Sequence, residues 1–211
     1  WNPVQIGTAQ KNMALEANPT LVLALDYLFW YGYGSRDRSG NPMPKGEAGQ
    51  KARLELLNIG LENLDAFDCP IILGDFPDVS DAVGRMLSAS QVPSPAILNA
   101  LNARVRSWAA EHSNVILVPL NTLMEHLRSN QAFQAGDLDW PAGSKSRFMQ
   151  HDNLHPRLEG LIILLQEAAI AFKRRHPDLN WPMEFDLERN HQKIYEAHRP
   201  EGCTPVPYDH D

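Results

Sequence analysis

The chain has 211 residues, 43% hydrophobic and 21% charged, the mix of a folded domain rather than a disordered segment. That length suits one sizeable α/β core. A formal charge of -7 with no evident basic face argues against a nucleic-acid partner, and no apolar run reaches the roughly 18 residues of a membrane-spanning helix.

Residues 4–16 are expected to form a helix, closed by Asn18-Pro19. Leu21-Val22-Leu23-Ala24-Leu25 follows, an unbroken apolar run of strand length, as in a parallel strand buried on both faces. Residues 27–49 start aromatic and continue rich in Gly, Pro and charge, which reads as a long loop. Leu54, Leu57, Leu61 and Leu64 then recur on one helical face. Pro70 opens a second buried strand, Ile71-Ile72-Leu73, ending at Gly74-Asp75. Ser94 is placed to cap a helix whose first position is Pro95, with Ile97, Leu98, Leu101, Val105 and Trp108 as its apolar stripe.

A third strand covers residues 115–120, and Thr122 and Glu125 have capping-box spacing for a short helix. The last long helix is expected to start at Pro156 and to bury Leu158, Leu161, Ile162, Leu165 and Phe172. Strand–helix alternation of this kind predicts a parallel sheet with helices on both faces, in a domain over residues 1–174. Residues 175–211, with five prolines and few aliphatics, read as an extended tail lying over that domain. The sequence opens on Trp1 rather than Met, without a signal peptide, so an upstream piece of the gene product is expected. A secreted or periplasmic location is favoured over a cytoplasmic one, and none is assigned. Cys69 reads as a small buried hydrophobe, and a bridge to Cys203 stays open.

His151-Asp152-Asn153-Leu154-His155-Pro156 carries the strongest chemical signal. A catalytic imidazole needs a carboxylate on one ring nitrogen to fix its tautomer, leaving the other free to take a proton. Asp three residues before His, in a turn, can put both side chains on one side of the loop. With Pro156 starting a helix, His155 would sit at a helix N-terminus, where the dipole opposes protonation. The same spacing also arises in turns where Asp caps the loop and His is a surface residue. The histidines at 176, 191, 198 and 210 are too dispersed to suggest a metal site.

The order of elements resembles the SGNH, or GDSL, serine-hydrolase family over roughly residues 4–173. The resemblance rests on the Pro19–Leu25 and Pro70–Gly74 strands, on Asn99-x-x-Asn102-x-x-Val105 leading to the third strand, and on Asp152-Asn153-Leu154-His155-Pro156 followed by Gly160. It implies a flavodoxin-like three-layer α/β/α sandwich with a mainly parallel sheet, whose first strands lie upstream of residue 1. It also implies hydrolysis of small-molecule, carbohydrate or lipid esters without a cofactor or metal, His155 serving as base and Asp152 orienting it. The family's Gly-Asp-Ser and its second block are absent, so the nucleophilic Ser is expected upstream. The third block would follow the strand at 21–25, but Ala24-Leu25-Asp26-Tyr27-Leu28-Phe29-Trp30 offers neither Gly nor Asn.

Asp26 stands at the matching place, and Tyr27 and Trp30 begin an aromatic cluster at the strand's carboxyl end. These three are candidate substrate-binding residues, with packing of the loop onto the core as the competing reading. Gly74-Asp75-Phe76-Pro77-Asp78-Val79-Ser80 echoes Gly-Asp-Ser only superficially. Two alternatives stand beside the hydrolase: a non-catalytic binding domain on the same fold, and an enzyme recruiting an internal serine such as Ser80.

Overall fold

Three short apolar runs pair as a parallel sheet in the computed structural model, which describes residues 2–135, 138–178 and 186–198. Helix α1 (Pro3–Glu16) begins under the Asn2 side chain, which accepts from Val4 and Gln5 N–H, and leads to strand β1 (Val22–Ala24). A single turn, α2 (Phe29–Gly32), and the long α3 (Gly46–Leu64) connect β1 to β2 (Ile71–Gly74). Helix α4 (Pro95–Glu111), capped by the Ser94 hydroxyl on Ile97 N–H, connects β2 to β3 (Val115–Val118). The strand order is β1-β2-β3, with Val22, Leu23 and Ala24 opposite Ile71, Ile72 and Leu73, and Ile71 to Gly74 opposite Val115 to Val118. Beyond β3 come α5 (Leu120–Ser129), an antiparallel hairpin of β4 (Phe133–Ala135) and β5 (Leu138–Trp140), the turn α6 (Lys145–Phe148), α7 (Leu158–Arg175) and α8 (Leu187–His198).

Alternation along the strands sends neighbouring side chains to opposite faces. Ile71, Leu73 and Val115 join the large core with Leu57 and Leu61 of α3 and Leu101 and Val105 of α4. Ile72, Ile116 and Val118 pack on the other face with Ala168 and Phe172 of α7. The sheet therefore carries helices on both faces.

Six expectations change in detail. The stretch at 27–49 is not all loop, because α2 folds where Gly32 lets the Phe76 ring approach: a Cβ there would lie 2.4 Å from it. The third strand stops at Val118, and α5 begins at once behind Pro119 without using a Thr122–Glu125 box. Its first turn is capped from elsewhere: the buried Asp75 carboxylate accepts from Asn121 N–H at 2.8 Å. Burial pushes the Asp75 carboxyl up, and the bonds from Asn121 and Leu120 and the nearby Arg106 oppose that.

Helix α7 starts at Leu158 rather than Pro156, because residues 155–157 first run extended beside 148–150, with Gln150 N–H donating to His155 O and Arg157 N–H to Phe148 O. Gly160 sits against the Phe148 carbonyl, 2.4 Å from where a Cβ would be, so this side of the helix turns inward with Ile163. Leu161 and Leu165 are consequently exposed rather than buried, at 47% and 49%. Finally, part of the expected extended tail is helical: α8 packs on α7 and buries Leu187. Cys203 and His210 lie outside the described residues.

Candidate active site

The loop from Met149 to Arg157 leads into α7 and is held by its own backbone. Asn153 N–H donates to Gln150 O at 3.0 Å, and Asn153 adopts φ +58°, a left-handed conformation that Asn tolerates better than most residues. Asp152 organises the turn. Its Oδ1 accepts from the N–H groups of Leu154 (2.9 Å) and His155 (3.0 Å), while its Oδ2 lies 2.8 Å from His155 Nδ1. Asp three residues before His thus places both side chains on one side of the loop.

Desolvation acts upward on the Asp152 carboxyl, but the bonds from the His155 ring and from the two N–H groups, with the His155 charge, outweigh it and bring the pKa to about 2. At neutral pH the carboxylate can only accept, so His155 Nδ1 carries the proton. In a neutral ring Nε2 is then an acceptor, and among the described residues it has no hydrogen-bond partner. The His155 side chain is half exposed, at 52%.

A folded-state pKa below the ordinary aspartate value of about 3.9 stabilises the fold above that value, and this contribution is lost as pH falls from about 4 towards 2. Asp152→Asn is therefore expected to flatten the decline of stability across that window, as read by denaturant titrations at pH 5 and pH 2.5. Parallel declines for the two proteins would contradict the pairing.

Contacts from the segment after β2 hold this loop at the carboxyl end of the sheet. Asn153 Nδ2 donates to Asp81 O at 3.3 Å, and the Arg85 guanidinium donates to His151 O. Asp81 is held by Lys145 Nζ at 2.6 Å and by Arg128 at 3.5 Å, and Arg128 also pairs with Asp78. The segment is itself fixed at its root. Asn102, fully buried on α4, accepts from Phe76 N–H at 2.8 Å and donates to Phe76 O at 2.9 Å. Asn102→Ala would leave both backbone groups without partners, at roughly 1–3 kcal/mol each. A clear drop in the denaturation midpoint is the expected result, and an unchanged midpoint would contradict this role.

The other candidate residues do not join the pair. Asp26 is exposed, and its carbonyl accepts from Phe29 N–H at the start of α2. The Tyr27 hydroxyl faces Gly7 O (3.4 Å) and Tyr31 Oη (3.3 Å), binding α2 to α1, and burial pushes its pKa up. Trp30 lines a cavity of about 480 Å³ whose wall includes neither Asp152 nor His155. Ser80 donates its N–H to Asp78 Oδ1 at 2.9 Å, and its hydroxyl also bonds Asp78, whereas the His155 ring bonds Asp152. Nor do those residues gather three His, Cys, Asp or Glu side chains able to hold a metal ion.

Sequence reasoning missed the Asn102 clamp and the Asp78–Asp81–Arg128–Lys145 cluster. A signal for Asn102 exists, since it falls within the apolar stripe of 98, 101 and 105 and had to find a partner. The ion cluster had none, because its members are 17 to 67 positions apart, apart from Asp78 and Asp81. Compared with protein-family models, curated proteins and solved structures, the chain gives no match.

Proposed function

We propose that this chain is the C-terminal part of an ester hydrolase of the SGNH type, built on a flavodoxin-like three-layer sandwich. The observation that carries the proposal is the 2.8 Å Asp152–His155 contact at the carboxyl end of a parallel sheet, with Nε2 left open. Active sites of open α/β sheets form at that end, in loops leading into helices. In the proposed reaction a serine from an upstream segment attacks the ester carbonyl as Nε2 takes its proton. The imidazolium, stabilised by the Asp152 carboxylate, returns that proton to the departing alkoxide. Water then attacks the acyl-serine by the same exchange, releasing the acid and restoring the serine. The substrate is a small-molecule, carbohydrate or lipid ester.

Labelling with a fluorophosphonate tests this in the protein with its upstream coding sequence. One labelled serine, preceded by Gly-Asp and lost in His155→Ala, is the expected result. One observation favours a second reading, a non-catalytic binding domain: no serine of the described residues is hydrogen-bonded to the His155 ring. Absence of any labelled serine in that longer protein would favour it over the hydrolase.

A further inference from the structure

The cavity beside Trp30 lies apart from the Asp152–His155 pair and has an electrostatic character unlike that of the chain as a whole. The chain carries a formal charge of -7, yet Arg36 and Arg38 both line this cavity. Arg36 is braced there by its Nη1 bond to Gly40 O at 2.6 Å, while Arg38 is exposed and makes no hydrogen bond or ion pair among the described residues. The one carboxylate in the wall, Asp37, is turned into its own loop and accepts from Ser39 and Asn41 N–H, both at 2.9 Å.

A third cation is bonded to segments that lead into the wall. Arg53 is buried to 3% exposure and has no carboxylate partner among the described residues. Its guanidinium donates to Gly32 O and, at 3.2 Å, to Ser90 O. Ser90 precedes the cavity-lining Gln91 and Gly32 lies two residues before the cavity-lining Gly34, so Arg53 ties together two segments that contribute to the wall. Burying an unpaired guanidinium is costly, and burial pushes its pKa down to about 10, still well above neutral. The guanidinium therefore keeps its charge at neutral pH.

We propose that this cavity binds a small ligand carrying a carboxylate beside a ring. The guanidinium fork of Arg38, with Arg36 also in the wall, fits a planar carboxylate in two parallel bonds. Trp30, Pro3 and Leu56 make the apolar part of the wall against which the ring packs, and Asn2 and Gln91 supply amides for its polar substituents. A volume of about 480 Å³ is within the ordinary range for a small-molecule site. Two sources share this chemistry, an acidic sugar such as a uronate and an aromatic acid. The inference does not depend on the hydrolase reading, because it requires no serine and no turnover.

The test is calorimetric titration and tryptophan fluorescence of the full-length protein with glucuronate, benzoate, glucose and inorganic phosphate. Saturable binding of glucuronate or benzoate is expected, with none of glucose, and whichever acid binds identifies the source. Arg38→Gln should weaken that binding about tenfold, the effect of losing a charge-assisted bond, while Arg38→Lys should weaken it less. Both replacements are on an exposed side chain, and an unchanged melting temperature confirms that the fold is intact. Failure of both acids to bind, binding indifferent to Arg38→Gln, or arginine-dependent binding of phosphate alone would each overturn the proposal.

Discussion

If the proposed upstream serine is present, His155→Ala is expected to lower kcat for an aryl ester by about 10^4–10^6-fold, because a nucleophile and its base act as one unit. The replacement leaves the His155 carbonyl on Gln150 N–H, so the loop should keep its shape. Asp152→Asn is the finer probe. Asn keeps an oxygen for the N–H groups of Leu154 and His155, but its amide can donate to Nδ1 and so drive the imidazole proton onto Nε2. With the acceptor nitrogen occupied, kcat is expected to fall about 10^4-fold with little change in KM. Steady-state kinetics on a nitrophenyl ester would show both effects. Activity within tenfold of the parent in His155→Ala would end the assignment of His155 as base.

Residues 1–211 expressed alone are expected to precipitate or to associate through β1. Among the described residues β1 pairs only with β2, which leaves its other edge unpaired. Strand β3 also has a single partner, but its side chains are buried or half-buried, whereas Leu23 at the centre of β1 is 51% exposed. Leu161 and Leu165 of α7 are uncovered as well, and Leu21 and Leu25 of the β1 run pack with α7 on the same side of the sheet. The run Leu21-Val22-Leu23-Ala24-Leu25 has no charge or proline to deter pairing, so it is a template for another strand.

The proposed upstream segment would supply that strand and cover those leucines. Sedimentation of the 211-residue chain should show dimers or larger species, and Leu23→Lys should shift them towards monomer by placing a charge in the edge. The longer protein should be monomeric without any substitution. A monomeric 211-residue chain that melts cooperatively would overturn the edge argument and with it the need for an upstream strand.

The parallel α/β character of the chain was legible in its sequence because the signals are local. A run such as Ile71-Ile72-Leu73, with no polar residue, leaves a strand no solvent face, and Ser94-Pro95 fixes a helix start through bonds that span three residues. The turn of Asp152 onto His155 is local in the same way: a spacing of three permits the contact, and the bonds from Leu154 and His155 N–H to Asp152 shape the turn that makes it.

Tertiary contacts decided the rest. The start of α5 follows Asp75, 46 positions from the N–H that it caps, rather than the nearby Thr122 and Glu125. The inward side of α7 is set by the close approach of Gly160 to the Phe148 carbonyl, so a stripe drawn from hydrophobicity alone placed Leu161 and Leu165 in the core. Trp30 and Tyr27 belong to one aromatic cluster in the sequence, yet helix packing turns Tyr27 onto α1 and leaves Trp30 in the wall of a cavity. Periodicity reports how apolar a face is, but which neighbour covers that face depends on chain segments brought together only by folding.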